Sequence, residues 1–221
     1  MDTEKMPGTN KYLGEGFYYK VYELDDKRVY KQFQPYWFSF KKIYDYKRKT
    51  GSSFISSIIG AHKSRKKEEL ALWTIKKKLV EMPGALFANP VFELGLNYSQ
   101  DRTTVVEKVF DSNTDNINQG IINQYIEFQK TLWSYGMHDT TFKLQPNYGI
   151  DQKGNLVCID FGEFVYTKGA ALKSINNKRW AMRGSYKNWV HSSMKEYYTN
   201  EMNENINESM LNKYWNSKIN L

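Results

Sequence analysis

The stretch from Asn147 to Gly162 constrains this chain more than any other. Tyr148 to Ile150 and Leu156 to Ile159 are strand-like, and Asp151-Gln152-Lys153-Gly154 between them is a turn sequence, so the segment predicts a β-hairpin. A hairpin returns the chain to where it began. Asn147 and Asp160, 13 positions apart, are therefore brought together, one with an amide oxygen and the other with a carboxylate. Magnesium is a hard cation that takes oxygen ligands and keeps phosphates and water in its shell, so this pair suffices to seat it. Asp160 supplies the dominant charge. Cys158, the only cysteine, sits in the second strand and reads as core; a single cysteine excludes both an internal disulfide and a thiolate zinc cage.

The surrounding chain reads as strand-rich first and helix-rich second. Lys11 to Phe33 alternates small, aromatic and β-branched residues around Asp25-Asp26, which predicts a hairpin or three short strands. Gln34 to Gly60 reads as a helix followed by a loop, and Ser64 to Val80 as an amphipathic helix with Leu72, Ile75 and Leu79 on one face, stopped by Pro83-Gly84. Pro90 to Leu96 and Thr103 to Phe110 look like paired strands joined by an Asn97 to Arg102 turn. Ile121 to Tyr135 carries a helical stripe of Ile122, Tyr125, Ile126, Gln129 and Leu132 and ends at Gly136. Helices account for most of Ala170 to Asn220, with Asn200 to Asn212 polar enough to fray. With 221 residues, 40% apolar and 16% aromatic, the chain has the material for one domain or two closely packed lobes.

Charge is concentrated in one place. Lys41 to Lys78 holds twelve Lys or Arg against three acids, so the net +8 of the chain belongs to that segment. With Tyr44, Tyr46, Phe54 and Trp73 interleaved, it is a candidate surface for an acidic partner or a nucleic acid; a solvated helix face is the plainer account. Phe54 to Ala61, among the longest apolar runs, is short and broken by serine, which predicts no membrane span, and Met1 to Asn10 lacks the apolar core of a secretory signal. The expected location is the cytoplasm.

Further motifs stand in order along the chain. In Leu13-Gly14-Glu15-Gly16-Phe17-Tyr18-Tyr19-Lys20-Val21, Gly14 and Gly16 can present backbone N–H groups to an anion, although Tyr19 should stiffen or obstruct the turn. The segment resembles the glycine-rich loop of protein kinases, with Tyr19 at the third glycine position. By the same resemblance Val29-Tyr30-Lys31 supplies a strand lysine for the phosphates, and Glu69, preferred over its neighbour Glu68, the helix carboxylate that holds the lysine. Glu107 to Val109 would form a hinge whose backbone pairs with an adenine or guanine edge, while Val21 covers its face. Asn147 and the Asp160-Phe161-Gly162 motif have the spacing of the kinase metal ligands.

The kinase pattern breaks before Asn147. The fifth residue before that asparagine, where a kinase carries its catalytic aspartate, is Phe142. Asp139 is the nearest replacement base, His138 a second choice, and Lys143 is placed to neutralise the transferred phosphate. No Ala-Pro-Glu follows Gly162, so peptide recognition is not implied. Residues 65 to 180 also resemble in layout the YrbL-like, PhoP-regulatory-network family of small bacterial kinase-like proteins. That family shows a Glu-Leu helix start, a loop ending in asparagine without the usual aspartate, and a Gly-Glu step matching Gly162-Glu163. These resemblances imply an α+β bilobal kinase-like fold, with 1–109 as N-lobe and 110–221 as C-lobe, using ATP and magnesium. Two functions follow: phosphotransfer to a hydroxyl acceptor, or a pseudokinase that binds nucleotide to regulate or scaffold a partner protein.

Overall fold

Turn chemistry sets the opening strands. Strands β1 (Tyr12–Glu15), β2 (Tyr19–Glu23) and β3 (Arg28–Phe33) form an antiparallel meander, and the Asp25 carboxylate closes the second turn by accepting the N–H groups of Lys27 and Arg28 at 2.8 and 2.7 Å. The structure, a computed structural model, describes residues 11–93, 95–160, 162–182, 190 and 192–216. The N-terminal Met1 to Asn10 segment and Phe161 of the Asp-Phe-Gly motif lie outside them.

After β3 come two helices, α1 (Tyr36–Lys49) and α2 (Phe54–Lys78), and then β4 (Val91–Phe92) and β5 (Tyr98–Asp101). The antiparallel sheet runs β1-β2-β3-β5-β4. Two expectations change here. Residues 54–63 are helix rather than loop, because Ser53 caps α2 by accepting the Ser56 N–H and Ser57, Ala61, Arg65, Glu68, Leu72 and Ile75 make one buried stripe. The expected turn at Asn97 to Arg102 is largely β5, whose short partner β4 reverses through Glu93 N–H to Asn97 C=O. Helix α2 is tied to the sheet by the Arg65 guanidinium, 3.8 Å from the Phe33 ring and bonded to the Gln34 carbonyl at 3.1 Å, and by Lys76 Nζ on the Glu93 and Gly95 carbonyls.

The described residues divide into two compact units, one within 11–84 and 89–102 and the other of 85–88 with the described residues from 103 onward. In the second unit, β6 (Thr104–Val105) leads into α3 (Val106–Ser112). Thr103 to Phe110 is therefore not one strand. Val106 and Phe110, four apart and buried, favour a helical turn over the β-branched pattern, and β6 pairs with the later hairpin instead of the segment before it.

Helix α4 (Asp115–Ser134) is the spine of this unit, and all five residues of the expected stripe are buried along it. It ends where Gly136 takes φ +65°, the left-handed conformation that terminates helices. Then come β7 (His138–Asp139), α5 (Leu144–Asn147), the hairpin β8 (Tyr148–Ile150) and β9 (Leu156–Cys158), and β10 (Phe164–Val165), which pairs with β7. Gly149 is required by the approach of β6, since a Cβ there would fall inside the Thr103 side chain. Helices α6 (Lys168–Asn176), α7 (Arg179–Met182), α8 (Lys195–Asn205) and α9 (Glu208–Tyr214) complete the described part. The polar tail does not fray as expected, because Tyr198, Met202, Ile206 and Leu211 are buried anchors among its asparagines and glutamates. The molecule is thus α+β, with an antiparallel sheet in its N-terminal part and a mainly helical C-terminal part.

Candidate functional site

The expected hairpin forms, and its turn is built by Asp151. That carboxylate accepts the Lys153 and Asn155 N–H groups at 2.8 Å each, and Gly154 takes φ +83°. Partial burial opposes ionisation of Asp151, but these hydrogen bonds prevail and hold its carboxyl below the usual range. At the other end, the Asn147 carbonyl accepts the N–H groups of both Ile159 (2.9 Å) and Asp160 (3.2 Å). Asn147 and Asp160 are therefore backbone neighbours. The Asn147 residue is only 7% exposed whereas Asp160 is exposed, and among the described residues no hydrogen bond or ion pair engages either side chain. A carboxylate and an amide oxygen are ligand types that magnesium takes, and among the described residues there is no cluster of three or more His, Cys, Asp or Glu.

Asp139 is a different kind of carboxylate. It is 2% exposed; Oδ1 accepts the Thr141 N–H and Oγ1–H at 2.8 Å each, and Oδ2 accepts the Tyr148 hydroxyl at 2.8 Å. Both oxygens of Asp139, the expected base, accept hydrogen bonds that brace the loop against the hairpin. His138 fares no better. It is fully buried, its Nδ1 accepts the Trp133 indole N–H at 3.0 Å, and burial pushes its pKa down to about 3.

Phe142, in the slot of the missing aspartate, is fully buried against Trp180 with ring centroids 4.8 Å apart, and holds φ +54°. A left-handed backbone at an aromatic residue is uncommon, and burial of the ring keeps it. Lys143, the next residue, pairs with Glu163 at 3.0 Å. Both are partly exposed, and such a pair contributes about 1 kcal/mol or less, so a phosphate can displace the carboxylate.

In the first unit, the register places Gly14, Val21, Lys31 and Tyr98 in one row across β1, β2, β3 and β5. The side chains of directly opposed residues share a face of the sheet, so Val21 and Lys31 point the same way; Lys31 Nζ lies 5.6 Å from the Tyr98 ring centroid. Gly14 has φ +154° and an irregular pairing with β2, a conformation suited to glycine. Gly16 spends its own N–H on the Tyr19 carbonyl at 2.9 Å. Tyr19, two residues before Val21 and so on the same face of the sheet, has its hydroxyl on the Leu96 carbonyl and its ring against Phe33 and Tyr98.

Three residues that sequence reasoning missed hold this turn. Gln34, 2% exposed, donates to the Gly16 carbonyl at 3.0 Å and receives Arg65 on its own carbonyl; Lys42 of α1 also reaches the Gly16 carbonyl, at 3.2 Å, and pairs with Glu15. The Lys42 ammonium holds the Glu15 carboxyl below its usual range. No local pattern signals these roles, because each partner is separated in sequence and meets the turn through tertiary packing. Of the two adjacent glutamates, Glu68 is 4% exposed on the buried stripe of α2, while Glu69, the one expected from sequence, is half-exposed. Glu107 and Val109 lie in helix α3, with Glu107 exposed and the Val109 carbonyl taken by Ser112 and Asn113 side chains. An extended hinge at these residues is therefore corrected.

No protein-family profile matches the chain, and no curated protein matches it. Two solved structures align over most of its length. The complex of Rv3197 with erythromycin from Mycobacterium tuberculosis is 11% identical with a TM-score of 0.47, over 84% of this chain and 53% of that one. WbdD, co-crystallised with a kinase inhibitor, is 14% identical with a TM-score of 0.43, over 92% and 45%. The chain spans about half the length of each.

Proposed function

We propose that the chain is a kinase-like protein that binds magnesium and a nucleoside triphosphate, ATP in the first instance, and transfers the terminal phosphate to a hydroxyl acceptor. The observation that supports this reading is the backbone junction of Asn147 with Asp160, which joins at the root of a hairpin a residue with an amide oxygen and a residue with a carboxylate that no described residue engages. Bound there, magnesium would neutralise phosphate charge, which is where most of the catalysis of phosphoryl transfer resides. In the first unit, taken by itself, Lys31 on the third strand, with Val21 on its face and Gly14 at the row's end, would bind phosphate, as the β3 lysine does in protein kinases. Lys143 would exchange Glu163 for the transferred group. The acceptor oxygen forms a bond to phosphorus as the bond to the leaving diphosphate breaks, and its proton passes to water or a phosphoryl oxygen, because no carboxylate stands at the base position.

The engagement of Asp139 and the burial of Phe142 favour a second reading, in which nucleotide binding occurs without turnover. One experiment separates the two. Thermal stabilisation by ATP that requires magnesium and vanishes in Asp160→Ala supports the site, and ATP consumption above the Asp160→Ala background with diverse hydroxyl acceptors supports transfer. Stabilisation without consumption assigns the pseudokinase reading. No magnesium-dependent stabilisation overturns both.

A further inference from the structure

Helices α1 and α2 present an outer surface that the nucleotide reading does not use. On α1, Trp37, Lys41, Tyr44 and Arg48 recur at helical spacing, and on α2 so do Ile55, Ile59, His62 and Lys66, so each helix carries one stripe that mixes apolar and cationic side chains. The two stripes adjoin. Tyr44 meets Phe54 edge-on at 6.1 Å, and the Tyr36 hydroxyl bonds His62 Nδ1 at 2.6 Å, which sets the helices antiparallel and places the apolar start of α2 near the basic end of α1.

These apolar groups are not core residues that show an edge. Trp37 is 73% exposed, Ile55 68% and Phe38 60%, and Phe54 and Ile59 are also open to solvent. Exposed cations surround them: Arg48, Lys63 and Lys66 have no ion pair among the described residues, and Lys41 meets only Asp45, one turn along α1. Large exposed apolar side chains gathered on one face mark an interaction surface.

We infer that this α1–α2 face seats the protein on an anionic lipid bilayer, with Trp37, Phe54 and Ile55 entering the boundary between headgroups and acyl chains and the flanking lysines and arginines on the phosphates. Charge selects the sign of the partner, since Lys41, Arg48, Lys63 and Lys66 are exposed along these helices. The form of the surface selects a bilayer over an acidic protein: tryptophan, phenylalanine and isoleucine tips project from the outer arcs of two helices between flexible cations, as in helices that lie in a membrane interface. Among the described residues no helix is long and apolar enough to cross a membrane, so the contact is peripheral. The inference is independent of nucleotide binding.

Sedimentation with vesicles tests it. The full chain should bind phosphatidylcholine vesicles containing roughly a third phosphatidylglycerol, bind pure phosphatidylcholine at least about tenfold more weakly, and be released by salt. Trp37→Glu with Ile55→Glu should weaken binding by about tenfold or more, and Lys41→Glu with Arg48→Glu by a similar factor, with circular dichroism unchanged because all four side chains face solvent. Brominated acyl chains should quench the fluorescence of the unaltered protein and lose most of that effect in Trp37→Phe, a readout that stands even if a charged variant fails to fold. Equal binding to neutral and anionic vesicles, retention of binding by both double variants, or capture of polyglutamate with the same dependence on Trp37 and Ile55 would overturn the assignment; the last would give the face to an acidic protein.

Discussion

Two neighbouring regions of the second unit treat their carboxylates in opposite ways. In the 138–142 segment Asp139 is buried and bonded by three donors, whereas at the root of the 147–160 hairpin Asp160 is exposed and its carboxylate is engaged by no described residue. A buried carboxylate with three of its roughly four lone-pair sites directed at protein groups stabilises the fold and has little left for a substrate. A carboxylate left in solvent contributes little to stability and stays available to a cation. The first carboxylate is thus spent within the fold and the second is open to solvent, although both read from sequence as functional acids.

The largest effect should come from the structural acid. Asp139→Ala leaves Tyr148 and Thr141 without their acceptor and should cost about 3 kcal/mol in chemical denaturation. A loss below about 0.5 kcal/mol would break the comparison. Next, Asp160→Asn should leave the stability of the ligand-free protein within about 0.5 kcal/mol while removing the gain from magnesium and ATP, roughly 2.7 kcal/mol at a hundredfold excess over Kd. Calorimetry showing the reverse pattern for these two variants would exchange their roles.

A smaller effect follows from His138, the neighbour of Asp139. Its folded pKa of about 3 lies below the unfolded value near 6.5, so between those pH values the unfolded chain binds the extra proton. Stability is therefore complete above pH 6.5 and is lost as pH falls toward 3, by about 2 kcal/mol at pH 5. His138→Gln, which keeps an acceptor for Trp133, should flatten that acid limb in denaturation curves recorded at a series of pH values. The smallest effect carries the comparison to helix α2. There Glu68→Gln should cost about 1 kcal/mol and Glu69→Gln less than about 0.5 kcal/mol, because only the first is buried on the sheet-facing stripe. Equal thermal midpoints for the two variants would remove the contrast between them.

Legibility followed the range of the interactions. The Asp151 turn, the α4 stripe and the end of that helix at Gly136 are local, and each was readable because a side chain bonds its own backbone or an apolar period repeats. Misreadings arose where local signals were balanced. Val105 to Phe110 satisfies strand propensity and helical burial together, and the outcome rests on Val106 and Phe110 reaching the core. Glu68 and Glu69 are one residue apart, and a rotation of about 100° per residue separates the buried from the half-exposed one.

What the residues determined alone was the inventory: an antiparallel start, a helical finish, a hairpin that returns Asp160 to Asn147, and a basic segment between 41 and 78. What only tertiary structure decided was which polar groups stay free for chemistry. Asp139 is spent because Tyr148 and Thr141 converge on it, and the Gly16 carbonyl is held because Gln34 and Lys42 come to it from other elements. The hydrogen-bonding capacity of a side chain belongs to its chemistry, but whether that capacity is already used depends on neighbours that the linear order does not name.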